Sequence, residues 1–394
     1  MEHHIIYKKD GVYAAFPQLD HLADGRLAAS FSISFKRDHH VIGDWHVLAS
    51  EDGGRTWSPS DDPAIPHNWP AQSTREYSDR FNDVLKDGTY LCAGSLGSEV
   101  WDEDRRGEAE AAGMRVWPHP WLEGKIAVRA LKLFVQYSED KGRTWVRREW
   151  PVPGFQQVVA FSRGTMLEDG TVLVPVYGVD TDGNGRNMVW RSGPDGKTGW
   201  RLLSMGTQTR DMHINESSFV EVEPGRVLAL SRNANGYFTQ MWSDDGGRNW
   251  SEPLLTDIWG PHSPPHLLKL QDGRILCTYG YRRRPMGIRA VLSDDGGETW
   301  DTENTVILRE DGGTPTQSMA ITEPPDLESL RLSGDEFRKR VGAAVIRGYY
   351  EPENARPDLG YAVSTQLDDG TILSVYYITL DDGITHCACT RWEA

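Results

Sequence analysis

Three observations in the 394-residue sequence predict an all-β chain wound into a six-bladed β-propeller. An octapeptide of the form S-x-D-x-G-x-[TN]-W recurs at Ser50–Trp57, Ser138–Trp145, Ser243–Trp250 and Ser293–Trp300, with a degraded copy at Ser192–Trp200. A turn plus strand led by Asp-Gly or Pro-Gly starts at Gly25, Gly88, Gly170, Gly225, Gly273 and Gly370. Those glycines are 63, 82, 55, 48 and 97 residues apart, and the shorter gaps match the roughly 40 to 50 residues of one four-stranded blade. The strands alternate, as in Gly370–Tyr377, and no helical period of comparable strength is present.

Each repeat has a physical reading. In the octapeptide the Asp caps backbone N–H groups of a hairpin turn, the Gly takes a positive φ, and the Trp folds back onto the hairpin. Forty Gly, 22 Pro and 15 Trp suit many turns between short strands. The two longest gaps predict insertions at about 99–125, in blade two, and at 312–358, between blades five and six. Both read as loops over a rim with short helices, Leu327–Val341 being the better helical candidate. Ring closure requires the chain ends to share a blade, so His4–Tyr7 is expected beside the C-terminal strands of the last blade. Residues 1–394 therefore read as one domain.

The net charge of −16 excludes nucleic acid and anionic membrane surfaces as partners. Apolar runs are strand-sized, well short of the roughly 18 residues of a membrane span. The start, Met1–Tyr7, has no basic n-region and no apolar h-region. Cys92, Cys277, Cys387 and Cys389 include no CxxC pair, three lie in apolar runs, and they read as reduced thiols of a cytoplasmic chain. Cys387 and Cys389 beside His386 make a poor zinc site, and no metal or cofactor motif is found. The sequons at Asn215 and Asn249 fall inside structural motifs and are discounted.

In a propeller the inner strand of each blade begins at the mouth of a central funnel, so positions nine residues before each glycine converge there: Phe16, Asp79, Phe161, Glu216, Pro264 and Tyr361. The octapeptides, which are Asp boxes, together with these positions resemble the sialidase superfamily over nearly the whole chain. The Asp box itself is a structural turn. His213–Ser218 followed by Val227–Asn233 is similar to the sialidase segment holding the Glu that polarises the nucleophile, here Glu216, and a substrate-binding Arg, here Arg232. Gly360-Tyr361 resembles the segment of the nucleophilic Tyr, and Asp38 sits where that family places its acid/base, with Asp44 the competing choice.

The pattern departs from the family in one place. Sialidases open blade one with Arg-Ile-Pro, whose Arg helps grip the sugar carboxylate, whereas this chain has Ala15-Phe16-Pro17. Arg282, Arg283 and Arg284 lie near the position of another clamp arginine, Arg284 being the best placed, and Arg80 could substitute at the rim of blade two. Asp79, Arg37 and His266 complete the substrate-binding candidates, and His262 flanks the same strand as His266.

The resemblance implies an exo-acting, retaining glycoside hydrolase releasing a terminal, acidic sugar from an oligosaccharide or glycoside, with Tyr361 and Glu216 as nucleophile pair and Asp38 as acid, then base. Two other readings stay open. Tyr, His266 and Arg side chains around a funnel could act on uronates in a lyase, and a propeller lacking one clamp arginine could bind carbohydrate without cleaving it.

Overall fold

The computed structural model describes residues 1–34, 44–69, 77–118, 123–206, 214–233, 236–259, 263–282, 285–312 and 359–394, and of Asp44 and residues 77–80 the backbone alone. It contains six antiparallel sheets. Strand β1 (Glu2–Tyr7) precedes blade one, which consists of β2 (Tyr13–His21), β3 (Leu27–Ser34), β4 (Asp44–Ser50) and β5 (Ser58–Pro59). Blade two is β6 (Tyr77–Val84), β7 (Tyr90–Asp102), β9 (Lys125–Ser138) and β10 (Val146–Pro151), with β8 (Val116–Pro118) added on β9 and helix α1 (Arg106–Ala111) in the same insertion.

Blade three comprises β11 (Phe155–Ala160), β12 (Thr165–Met166), β13 (Val172–Asp180), β14 (Gly185–Arg191) and β15 (Arg201–Ser204). Blade four comprises β16 (Ser217–Glu223), β17 (Arg226–Ser231), β18 (Tyr237–Ser243) and β19 (Leu254–Trp259). Blade five is β20 (Pro265–Lys269), β21 (Ile275–Tyr281), β22 (Met286–Ser293) and β23 (Val306–Gly312). Blade six is β24 (Gly360–Gln366), β25 (Ile372–Thr379) and β26 (Thr385–Trp392), with β1 as its outer strand. The expected ring closure is observed: His4 faces Cys389 and Glu2 faces Arg391 across the β1–β26 pair.

Every blade runs in the same sense. Its inner strand descends along the axis, a turn with a glycine at positive φ reverses the chain, and the second strand climbs back toward the funnel mouth; Gly170, at φ +91°, and Gly370, at +87°, are two such turns. Of the two expected helical insertions, the first carries α1, and Leu327–Val341 lies outside the described residues. Among the described residues no helix is long and apolar enough to cross a membrane.

The core is distributed between blades. Phe31, Tyr377 and Cys389 join blades one and six, Leu133 and Val174 join two and three, and Leu228 and Cys277 join four and five. A stacked Trp69–Tyr90 pair, 4.5 Å between centroids, ties the blade one–two connection down. All four cysteines are buried free thiols.

The Asp boxes are the joints of this ring. In the first, Asp52 Oδ1 accepts the Thr56 amide at 2.9 Å, its Oδ2 accepts the Thr56 hydroxyl at 2.7 Å, and Trp57 Nε1 donates to Gly54 O at 3.0 Å. The degraded copy keeps the carboxylate bonds, Thr198 N and Oγ1 donating to Asp195 at 2.9 and 2.6 Å. All but the Ser138–Trp145 box also seat a positive-φ glycine on a core leucine of the preceding blade. A Cβ at Gly54, Gly196, Gly247 or Gly297 would lie 2.9, 2.8, 2.9 or 2.4 Å from Leu373, Leu85, Leu173 or Leu228 respectively. The motif therefore fixes both the hairpin and the blade-to-blade distance.

Candidate active site

Glu216 precedes β16 and Arg232 follows β17, so the ladder that pairs Ser217 with Ser231 places the two side chains opposite each other. Reciprocal backbone bonds extend it: Arg232 N donates to Glu216 O and Asn215 N to Arg232 O, both at 2.9 Å. Arg232 Nη1 then reaches Glu216 Oε2 at 2.7 Å. Two blades further round the ring, the hydroxyl of Tyr361 donates to Glu216 Oε1 at 2.8 Å and lies 3.3 Å from Arg232 Nη1. Glu216 and Tyr361, which share one offset in different repeats, thus join Arg232, expected from the resemblance, in one hydrogen-bonded cluster.

Backbone strain aims the tyrosine. Tyr361 has φ +49°, a left-handed conformation costly for a bulky residue. The same twist recurs at the mouth ends of blades one and three, at Phe16 (φ +60°) and Ser162 (φ +71°). It is held by a close seam: Ser263 Oγ accepts the amides of Tyr361 and Gly280 at 3.3 Å each. A Cβ on Gly280 would come within 2.6 Å of Gly360 Cα, so only glycine permits this approach.

Around the phenol ring stand Phe16, Phe161 and Tyr377, with centroids 5.0, 5.4 and 5.8 Å away. Burial raises the Tyr361 pKa far above the ordinary tyrosine value and the Glu216 charge adds to it, outweighing Arg232 and Arg282. Tyr361 is therefore a neutral phenol, and any nucleophilic use of it requires Glu216 to take the proton as the new bond forms. For Arg232, burial works against the charge but Glu216 and Tyr361 outweigh it, so the guanidinium is held more firmly protonated.

Arg282 was the less favoured of three neighbours on sequence grounds, yet it reaches this site. Its Nε donates to Leu359 O at 2.9 Å, its Nη2 to the Tyr377 hydroxyl at 3.3 Å, and its guanidinium lies 5.8 Å from the Tyr361 ring centroid. A signal existed: Arg232 and Arg282 each fall eleven residues before the Ser of their Asp box, Ser243 and Ser293. Ala15, at the position of the missing clamp arginine, is completely buried.

His266 sits deeper along the axis, on β20, where its Nδ1 accepts the Ser364 amide at 3.3 Å. Burial, helped by the Arg163 charge, lowers its pKa to about 3, so it is a neutral imidazole. It lines an axial cavity of about 460 Å³ together with Arg163, His21, Glu221 and Lys269. Asp38, Arg37, Arg284 and His262 lie outside the described residues; Asp79 and Arg80 are placed only as backbone, at the mouth end of β6, and Asp44 opens β4.

A second charged cluster was not anticipated. Asp20 accepts Arg163 Nη1 at 2.5 Å and faces His67 Nε2 at 2.7 Å, joining blades one and three to the blade one–two connection. Burial opposes its charge, but Arg163 and then His67 hold its carboxyl well below the usual range. Among the described residues no group of three or more His, Cys, Asp or Glu could hold a metal ion.

With this geometry in view, the similarities to known proteins are informative. A family profile described as "BNR repeat-like domain" matches residues 113–374. A solved protein of unknown function from Dyadobacter fermentans DSM 18053 is 23% identical with a TM-score of 0.68, over 100% of this chain and 98% of that one. The Hadza microbial sialidase Hz136 is 18% identical with a TM-score of 0.56, over 97% of this chain and 66% of its own. The intramolecular trans-sialidase from Ruminococcus gnavus, solved with oseltamivir carboxylate, is 15% identical with a TM-score of 0.55, over 97% and 94%. At these identities the structures share the fold with this chain. Folded like the sialidases and matched by the profile over most of its length, the chain belongs to the BNR repeat-like domain family.

Proposed function

We propose that the protein is an exo-acting glycoside hydrolase that releases a terminal sugar with retention of anomeric configuration. The observation that carries this reading is the 2.8 Å hydrogen bond from the Tyr361 hydroxyl to Glu216, with Arg232 on the second carboxylate oxygen. A buried phenol with a carboxylate acceptor at hydrogen-bond distance is arranged for nucleophilic attack with concerted proton removal.

In the first step the Tyr361 oxygen bonds to the anomeric carbon, Glu216 Oε1 takes the phenol proton, and the glycosidic oxygen leaves with a proton from Asp38. In the second step water attacks the anomeric carbon, Asp38 takes its proton, and the phenol is restored by the proton held on Glu216. Arg232 stabilises the Glu216 carboxylate and orients it. The lyase alternative needs a base for the carbon acid, and its candidate His266 is turned to the Ser364 amide rather than to the Tyr361–Glu216 pair.

The test is product analysis with a panel of terminal glycosides, including a sialoside, a Kdo glycoside, uronides, arabinofuranosides and rhamnosides, run beside Tyr361→Phe. Release of one sugar by the wild type, with retained configuration by NMR, supports the reading. Unsaturated products, or equal turnover by the variant, overturn it.

A further inference from the structure

The insertion in blade two builds a small layer of its own. Beyond Leu96, β7 and β9 stay paired from Ser98↔Arg129 to Asp102↔Lys125, and β8 adds on the far side of β9 from Val116↔Val128 to Pro118↔Ile126. Second strands climb toward the end that carries Tyr361 and Glu216, so this arm stands on the mouth side of the ring. One of its faces is closed, because Ala109 of α1 packs with Ile126, Val128, Trp101 and Val116. Alternation turns Arg115, Trp117 and Arg129 to the opposite face.

On that face two arginines oppose each other directly: Arg129 N donates to Arg115 O at 2.9 Å, one step beyond the Val116↔Val128 pair. Like charges placed so are destabilising. Burial and the Arg115 charge both push the Arg129 pKa down. Among the described residues neither guanidinium has a side-chain hydrogen bond or an ion pair.

Their neighbours are all neutralised: Arg105 by Glu108, Arg106 by Glu103, Lys125 by Asp102, and Lys132 by Glu99 and Glu149. In a chain with 58 Asp and Glu, carboxylates are plentiful, yet among the described residues none pairs with these two cations. The Trp117 ring lies 5.6 Å from the Arg129 guanidinium.

We propose that Arg115, Arg129 and Trp117 form a recognition site for an acidic sugar unit of a glycan chain. The guanidinium pair grips a carboxylate or sulfate, and the indole offers a face to the sugar ring. The anion relieves the repulsion between the two guanidinium groups. This site goes beyond the hydrolysis reading and requires no turnover, so it stands or falls separately from it.

Calorimetric titration of the full chain tests it, with an oligogalacturonate as carboxylate probe, a sulfated glycosaminoglycan oligosaccharide as sulfate probe, and maltohexaose as neutral control. The wild type should bind at least one acidic probe, more weakly as salt rises, and bind maltohexaose far less. Arg115→Gln/Arg129→Gln should lower that affinity at least about tenfold, and Trp117→Ala should lower it as well. Because the substitutions remove a like-charge pair, the double variant should melt at or above the wild-type temperature, which separates lost recognition from lost fold. Binding to one acidic probe alone identifies the acid. Equal affinity for maltohexaose, no binding of either acidic probe, or unchanged affinity in the double variant overturns the proposal.

Discussion

The hydroxyl of Tyr361 and the carboxylate of Glu216, 145 residues apart in the chain, meet at 2.8 Å across the funnel mouth. Glu216 is thereby committed on both oxygens, to Tyr361 on one and to Arg232 on the other. Under the proposed reaction, Tyr361→Phe and Glu216→Gln should each lower kcat at least about a hundredfold. The two together should cost little more than either alone, because they act as a unit. Steady-state kinetics of the single and double variants, with circular dichroism as a fold control, check this.

The raised Tyr361 pKa makes a separate claim about alkaline pH. The folded protein keeps this phenol protonated as pH rises through about 10, where an ordinary tyrosine ionises. Ultraviolet titration should therefore show no difference in phenolate absorbance between wild type and Tyr361→Phe around that pH. A pKa higher in the folded state than in the unfolded one contributes stability that is present below about pH 10 and lost above it. The wild type should accordingly lose more melting temperature than the variant in strong alkali.

Asp20 should behave in the opposite sense. Its carboxyl is held low by Arg163 and His67, so its contribution is present above the unfolded value of about 4 and is lost as pH falls below it. Asp20→Asn removes the anion bonded to the partly buried Arg163, leaving the Asp83 charge nearby, and should destabilise by roughly 1 to 3 kcal/mol near neutrality. Denaturant unfolding at several pH values should show the gap from wild type closing in acid.

Gly280→Ala probes the seam that aims Tyr361. The added methyl would lie 2.6 Å from Gly360 Cα and 2.9 Å from Ser263 Oγ, so the backbones of the two blades must move apart. A stability loss of about 1 to 3 kcal/mol is expected, with a further drop in kcat because the Tyr361 oxygen shifts relative to Glu216. Thermal melts and kinetics on the same preparation separate the two effects.

Gly247→Ala addresses a joint far from the chemistry. Here a positive φ of +84° combines with 2.9 Å to Leu173 of the preceding blade, so the substitution should cost about 1 to 3 kcal/mol. Its kcat should remain at the wild-type value, measured well below the melting temperature.

The sequence discloses the fold because each blade repeats a local device: an Asp box, a glycine-led turn and an alternating strand. The same regularity makes Glu216 and Tyr361 legible, since they share one offset from their glycines. Arg232 and Arg282 share another, eleven residues before the Ser of their Asp box. Phe16 and Phe161 fall at the first offset too, but a phenylalanine declares no chemistry until Tyr361 is seen packed against both. Asp20, His67 and Arg163 belong to no period, because their meeting depends on how two blades and a connection close together. The Arg115–Arg129 opposition rests on strand pairing inside an insertion, where no repeat fixes the register.

The pairing of β1 with β26 imposes an order of events on the newly made chain. Residues 2–7 leave the ribosome before the rest of the propeller and must wait for their partner until residues 385–392 have followed. During that interval the Tyr361 ring also lacks its last neighbours, because Tyr377 is made later still than Tyr361 itself. The cluster at the funnel mouth is thus completed only once blade six has been made. A chain broken off before its last strand would carry Glu216 and Tyr361 in an open ring, with β1 still unpaired.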